Sequence, residues 1–121
     1  MILLKDEDEL ISILGASLVP AIAVDIASSQ SVAQVIDQLK AVLPFPRWCG
    51  SGWDSIDDAF EDLRESWTFP VVLVVHGWEE MFEVAAHDAL AVTLGLSRLR
   101  EAFSRVGQQF EVLYLGDWDK T

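Results

Sequence analysis

Residues 68–77, TFPVVLVVHG, decide the fold. The apolar run 71–75 lacks the alternation of a strand with one face in water. It therefore predicts a strand covered on both faces, as in a parallel sheet. Pro70 opens this strand, and His76 and Gly77 close it. Working outward, residues 19–26 (VPAIAVDI) and 110–115 (FEVLYL) are also predicted as strands, because β-branched, aromatic and apolar side chains dominate them.

Between these strands, apolar residues recur at helical spacing. This spacing predicts helices over about 31–43, 53–65, 78–84 and 88–106, with Asp88 as the cap of the last. A further short helix is predicted over 6–14, where an acidic first turn suits the helix dipole. Strands separated by helices imply right-handed crossovers. The predicted fold class is therefore α/β, a small parallel sheet packed with helices.

Composition narrows the classes of partner. The 121 residues include 8 basic and 20 acidic ones, for a net charge of −12, and 51% are hydrophobic. The apolar share predicts one folded core, and the charge argues against direct contact with nucleic acid or an anionic membrane. A cationic protein is the favoured partner. One cysteine, no membrane-length apolar run and no signal-peptide pattern predict a cytoplasmic protein.

The segment 53–65, WDSIDDAFEDLRE, places all its acidic residues on one helical face. Like charges four residues apart destabilise a helix by about 0.2–0.5 kcal/mol per pair. Two interpretations follow: a solvated face of an acidic protein, or a surface that binds positive charge. The second includes Asp62 among the candidate contacts. We call the six residues the acidic face: Asp54, Asp57, Asp58, Glu61, Asp62 and Glu65.

The loop 44–52, PFPRWCGSG, favours the binding interpretation. Trp48 beside carboxylates has the composition of an interface hot spot, and Gly50 lets a partner approach the backbone. The alternative for Trp48 is a side chain folded into the core. Trp53, at the helix start, is also a candidate contact, although packing is the favoured interpretation of its side chain.

These residues resemble the barstar family, whose name-giving member is the intracellular inhibitor of the ribonuclease barnase. The family pattern has an aromatic residue, a glycine, an apolar–Asp pair and a second Asp four residues later, followed by aromatic–Pro and an apolar strand. In this sequence the pattern is matched, within a resemblance that spans about residues 18–116, by Trp48, Gly50, Trp53-Asp54, Asp58 and Phe69-Pro70.

The resemblance implies a three-stranded parallel sheet in a domain over 18–121, preceded by an extension over 1–17. It also implies a non-enzymatic inhibitor that blocks a ribonuclease active site with the second helix and the loop before it. Asp58 would take the central role, Asp54 would be an anchor at the rim, and Trp48 the aromatic contact. Glu101, in the last helix, matches a further acidic contact of the family.

The sequence departs from the family pattern at several positions. Asp57 stands where the family has an interface tryptophan, and Arg105 stands at a second acidic position of the last helix. Gly52 replaces an asparagine at the start of the second helix, so Ser51 is predicted to cap it. These departures concern the identity of the target more than the mode of binding. The alternative function is an immunity or adaptor module for another basic toxin or nucleic-acid enzyme.

An enzyme is the least favoured class. The sequence contains no HExxH, CxxC, GxSxG or glycine-rich phosphate loop. Cys49, His76 and His87 are interpreted as structural. The spacing of Asp54, Asp57 and Asp58 is not that of a calcium-binding loop. We therefore expect no cofactor, no metal and no catalytic residue.

Overall fold

The computed structural model describes residues 2–4 and 21–116. The helices and the three strands predicted within this part of the chain all occur, in the predicted order. The predicted helix over 6–14 and the first two residues of the predicted strand 19–26 lie outside the described residues. In chain order the elements are β1 (Ile2–Leu4), β2 (Ala21–Asp25), α1 (Val32–Val42), α2 (Trp53–Ser66), β3 (Val71–His76), α3 (Trp78–Val84), α4 (Ala86–Arg105) and β4 (Phe110–Leu115).

The described strands form one parallel sheet in the order β1-β4-β3-β2. Leu73, in the middle of β3, is in register with Ile22 on one side and Val112 on the other. The α/β class with its parallel sheet is thus confirmed. Strand β1 is an addition that the sequence did not predict, because three residues are too few to give a pattern. The boundary between an extension and a domain near residue 17 stays a prediction.

The helices cover one face of the sheet. Strands β2, β3 and β4 lie side by side in the sheet in the same order as along the chain. Right-handed crossovers between them therefore place α1 to α4 on the same face of the sheet. The main core lies there, where alternate residues of β3 and β4 meet buried side chains of all four helices. Val72, Val74 and Leu113 alternate with those residues and are buried as well. Strand β3 is therefore covered on both faces, as its apolar run predicts.

The prediction for Asp88 is wrong. Helix α4 begins at Ala86, and its N-cap residue, Ala85, makes no side-chain capping bond. The Asp88 carboxylate instead accepts a hydrogen bond from the backbone N–H of Val32 at 3.1 Å. Val32 is the first residue of α1, and the N-cap residue of α1, Ser31, accepts a further hydrogen bond from the N–H of Gln34 at 3.2 Å. Asp88 therefore stabilises the N-terminus of α1, a contact across 56 residues that local sequence does not reveal.

Helices α2 and α4 lie side by side and run in the same direction. The Trp53 indole occupies the space beside Gly95, and the rings of Phe60 and Phe103 are 4.9 Å apart. Residue numbers therefore increase in the same direction along both helices. This arrangement places the outer surface of α4 next to the acidic face of α2.

Candidate functional site

Helix α2 has one buried and one exposed side. Ile56, Ala59 and Leu63 are buried against the core. All six side chains of the acidic face are exposed. The spacing of acidic and apolar residues therefore gives the helix a charged outer surface, and the buried side fixes the direction in which that surface points.

Two of the six carboxylates have a basic neighbour. Asp57 lies 3.7 Å from Arg98 of α4, and Glu61 lies 3.5 Å from Arg64 one turn along α2. Ion pairs as exposed as these contribute about 0–1 kcal/mol, so neither holds its carboxylate firmly. Among the described residues, no basic side chain lies within 4 Å of the remaining four carboxylates: Asp54, Asp58, Asp62 and Glu65.

The start of α2 differs from the prediction. Its N-cap is Gly52, which has no side chain with which to cap. Ser51 does not take over this role, because its hydroxyl donates a hydrogen bond to the carboxylate of Asp37 on α1. The first-turn Asp54 supplies the favourable charge at this end of the helix dipole. The predicted capping by Ser51 is therefore wrong, and Ser51 links the loop to α1.

The loop 44–52 is held to the rest of the domain by hydrogen bonds and exposes Trp48 to solvent. The Lys40 ammonium donates to the carbonyl of Cys49 at 2.7 Å, and the Trp67 indole donates to the carbonyl of Pro44. Cys49 is buried, which raises the pKa of its thiol and disfavours the reactive thiolate. Trp48 has 59% of its surface exposed, so it does not fold into the core. An anchored loop with an outward tryptophan matches the geometry of an interface anchor.

The two other loop and helix-start candidates have structural roles that the contacts explain. A Cβ placed on Gly50 would lie 2.8 Å from the Ser55 hydroxyl, so a side chain there would make this hydroxyl rotate away. Trp53 is half-buried against Gly95, where a Cβ would overlap the indole. Its Nε1 is buried and has no hydrogen-bond partner among the described residues. Trp53 thus packs the start of α2 against α4, Gly50 lies close to the first turn of α2, and the contact of both residues with a partner stays a prediction.

Glu101 lies on the neighbouring helix, and its charge is partly used within the chain. Its carboxylate accepts a hydrogen bond from Arg105 at 3.1 Å, and both side chains are exposed. Arg98 lies one helical turn before Glu101. The outer surface of α4 thus has alternating charge, whereas that of α2 is acidic. Arg98 was not predicted from the sequence, because only the packing of α4 against α2 brings it to Asp57.

Other polar and ionisable groups lie outside the acidic face and the loop 44–52. A cavity of about 250 Å³ between α4 and β4 has Thr93, Leu94, Arg100, Glu111 and Tyr114 among its lining residues. None of the residues that line it belongs to the acidic face. Arg100 and Glu111 pair there through two hydrogen bonds of 2.7 and 3.2 Å. Within residues 2–4 and 21–116 no His, Cys, Asp and Glu side chains cluster to hold a metal.

Comparison with known families points in one direction. The family model described as Barstar (barnase inhibitor) matches residues 19–115. No match was found among curated proteins. Among the described residues, no helix combines the length and apolar character needed to cross a membrane. The matched range contains the loop 44–52, the whole acidic face and Glu101.

Proposed function

The chain belongs to the barstar family, whose members are inhibitors rather than enzymes, and we propose that it is a cytoplasmic inhibitor of a barnase-type ribonuclease. In this proposal the loop 44–52 and the part of the acidic face from Asp54 to Asp62 enter the enzyme's active site, and Glu65 lies beyond the contact. Asp58 is the central contact, Asp54 an anchor at the rim, and Trp48 an aromatic contact from the loop. The observation that carries the proposal is the exposure of the acidic face on a helix whose other side is buried.

The physical basis is mimicry of charge. A ribonuclease binds a polyanion, so its active site is lined by basic side chains. A row of carboxylates on a convex helix offers such a site negative charge at successive turns. Asp58 has no basic neighbour within 4 Å among the described residues, so a target can pair with it without first breaking an internal ion pair. A carboxylate buried between guanidinium groups stabilises a complex when its oxygens are hydrogen-bonded.

Two substitutions of the family pattern favour a second candidate target. Asp57 replaces an interface tryptophan and lies beside Arg98, and Arg105 pairs with Glu101 instead of adding negative charge. A target matched to this surface differs from one matched to a purely acidic surface. An immunity or adaptor role toward another basic toxin or nucleic-acid enzyme is therefore the alternative.

The proposal is tested by titrating a barnase-type ribonuclease, and the basic ribonucleases of the protein's own source, with the wild-type chain. Asp58→Ala should abolish most of the inhibition, because it removes the central charge. Glu65→Ala is the matched control, since it removes the same charge from the same exposed helix face and should have little effect. The association rate should fall as salt increases, because complementary charge accelerates encounter.

Three results would contradict the proposal. The first is no inhibition of any of these ribonucleases by the wild-type chain. The second is an equal loss for Asp58→Ala and Glu65→Ala, which would leave only non-specific charge attraction. Co-purification of a basic protein that is not a ribonuclease would favour the alternative instead.

A further inference from the structure

The exposed Trp48 lies at the tip of a tight turn. The backbone N–H of Cys49 donates to the carbonyl of Pro46 at 3.0 Å, which closes a β-turn with Arg47 and Trp48 as its central residues. We call residues 46–49 the Trp48 turn. Because surface loops are more mobile than the elements they connect, the direction of the Trp48 side chain depends on what holds the base of this turn.

Helix α1 holds the base of the turn from two adjacent positions. The Lys40 ammonium donates to the carbonyl of Cys49, the last residue of the turn, at 2.7 Å. One helical turn earlier, the Asp37 carboxylate accepts a hydrogen bond from the hydroxyl of Ser51. The two contacts lie on either side of Gly50, a residue whose backbone is conformationally permissive. They therefore fix the chain between the turn and the start of α2 to a rigid helix.

Lys40 has the wrong charge for direct contact with a basic target. It is the only lysine among the described residues, and its side chain is half-buried. Within that part of the chain, no carboxylate lies within 4 Å of its ammonium. The ammonium instead binds a backbone carbonyl, and a hydrogen bond with a charged donor is stronger than one between neutral groups. This contact gives Lys40 a role that an uncharged side chain of the same length would not supply.

We propose that Lys40 and Asp37 are positioning residues for the proposed interface, which hold the Trp48 turn in the orientation in which Trp48 contacts the target. This inference rests on the proposed function. A loop that is already ordered in the free protein loses less conformational freedom on binding, so the complex becomes tighter without any added contact. Neither positioning residue has to touch the ribonuclease.

The test is a double-mutant cycle between Lys40→Met and Trp48→Ala, measured on the ribonuclease that the wild type inhibits. Lys40→Met keeps a long side chain but removes the hydrogen bond. It should weaken binding by about 3- to 10-fold, mainly through faster dissociation, because the turn must then be ordered on binding. In combination with Trp48→Ala it should cause little further loss, because Lys40 acts through Trp48. Removal of a positive charge alone predicts the opposite result, faster association and tighter binding to a basic target.

Two further measurements distinguish positioning from a general structural role. Gln38→Met is the matched control, because Gln38 is exposed on the same helix and takes no part in either contact with the loop. It should bind like the wild type. In the free protein, Lys40→Met should speed amide hydrogen exchange at Cys49 by about 3- to 10-fold and leave the amide of Leu63 in α2 unchanged. A general loss of stability would instead speed exchange at both positions.

The outcomes separate this inference from the proposed function. If the wild type binds but Lys40→Met binds within about twofold of it, or more tightly, the positioning role is wrong and the proposed function stands. Losses that simply add in the double variant would show that Lys40 acts independently of Trp48, which also overturns the inference. Unchanged exchange at Cys49 would show that Lys40 does not hold the turn. If the wild type binds no ribonuclease, the proposed function fails, and the role of the turn in binding fails with it.

Discussion

At the scale of single residues, the ion pair between Arg98 and Asp57 has the clearest consequence for recognition. The Arg98 side chain is 71% exposed, and its guanidinium lies 3.7 Å from the Asp57 carboxylate. It therefore places positive charge at the border of a surface that is proposed to meet a basic target. The pair is too exposed to add much to stability. Its main effect is to reduce the negative potential over the middle of the acidic face.

Arg98→Ala should raise the association rate with a basic ribonuclease by about two- to fivefold at low salt. The substitution removes an exposed positive charge, whose repulsion of the basic target is worth less than about 1 kcal/mol. Stopped-flow association at several salt concentrations measures this change. Arg98→Lys is the control and should keep the wild-type rate, since it keeps the charge. Slower association of Arg98→Ala would mean that Arg98 meets an acidic group of the target, contrary to our expectation.

Residue-level prediction from the sequence succeeded where local spacing determines the environment. The exposure of the acidic face and the burial of Ile56, Ala59 and Leu63 follow from helical periodicity alone. The environment of Trp48 did not, because a loop has no period, and the sequence left exposure and burial equally open. Arg98 was missed for a related reason: its neighbour Asp57 is on another helix.

At the scale of elements, α1 depends on α4 for part of its N-terminal capping. The backbone N–H of Val32 would be unpaired without the carboxylate of Asp88. Because this contact joins two helices separated in the chain by α2, β3 and α3, it helps to fix how α4 packs against α1. Helix α4 in turn carries Arg98 and Glu101, so the cap contributes to the position of the proposed binding surface.

Asp88→Ala should lower the free energy of unfolding by about 0.5–1.5 kcal/mol, the usual cost of a lost hydrogen bond or cap. Equilibrium urea unfolding measures it. Glu83→Ala, an exposed change of the same charge, is the control and should stay within about 0.5 kcal/mol of wild type. Equal stability of the two variants would show that the Asp88 contact contributes nothing.

The order and type of the elements were predictable because strand-forming runs and helical stripes alternate clearly along the chain. Most predicted boundaries within 21–116 agree with the structure to within one or two residues. Strand β1 was not predictable, since pairing with β4 decides its structure and three residues carry no period. The capping roles assigned to Ser51 and Asp88 were wrong because each side chain found a partner in a distant element.

At the scale of the whole molecule, the core contains a tyrosine that links stability to alkaline pH. Burial raises the pKa of Tyr114 to about 12, while a hydrogen bond with Thr93 opposes the shift. The unfolded chain ionises near the ordinary value of 10.0. Below that value the phenol is neutral in both states. Above it, ionisation favours the unfolded state, so stability falls between about pH 10 and pH 12.

Tyr114→Phe removes this ionisation. Between pH 8 and pH 11 the wild type should lose about 1.4 kcal/mol more of its free energy of unfolding than the variant does. Urea unfolding at the two pH values gives the comparison, and the wild type at pH 8 serves as the reference for any packing change in the variant. Parallel loss of stability in both proteins would contradict the expectation.

The two-sided construction of α2 also bears on how such a protein can diversify. Its apolar residues are buried in the interior, whereas its carboxylates contribute little to stability, because the dipole interaction of Asp54 and the exposed ion pairs of Asp57 and Glu61 are each worth about 1 kcal/mol or less. Mutation of the outward positions is therefore nearly free of folding cost, and relief of like-charge repulsion even favours it. A lineage can accordingly change the partner that this surface recognises by exchanging side chains on a single helix, while the scaffold beneath is inherited unaltered.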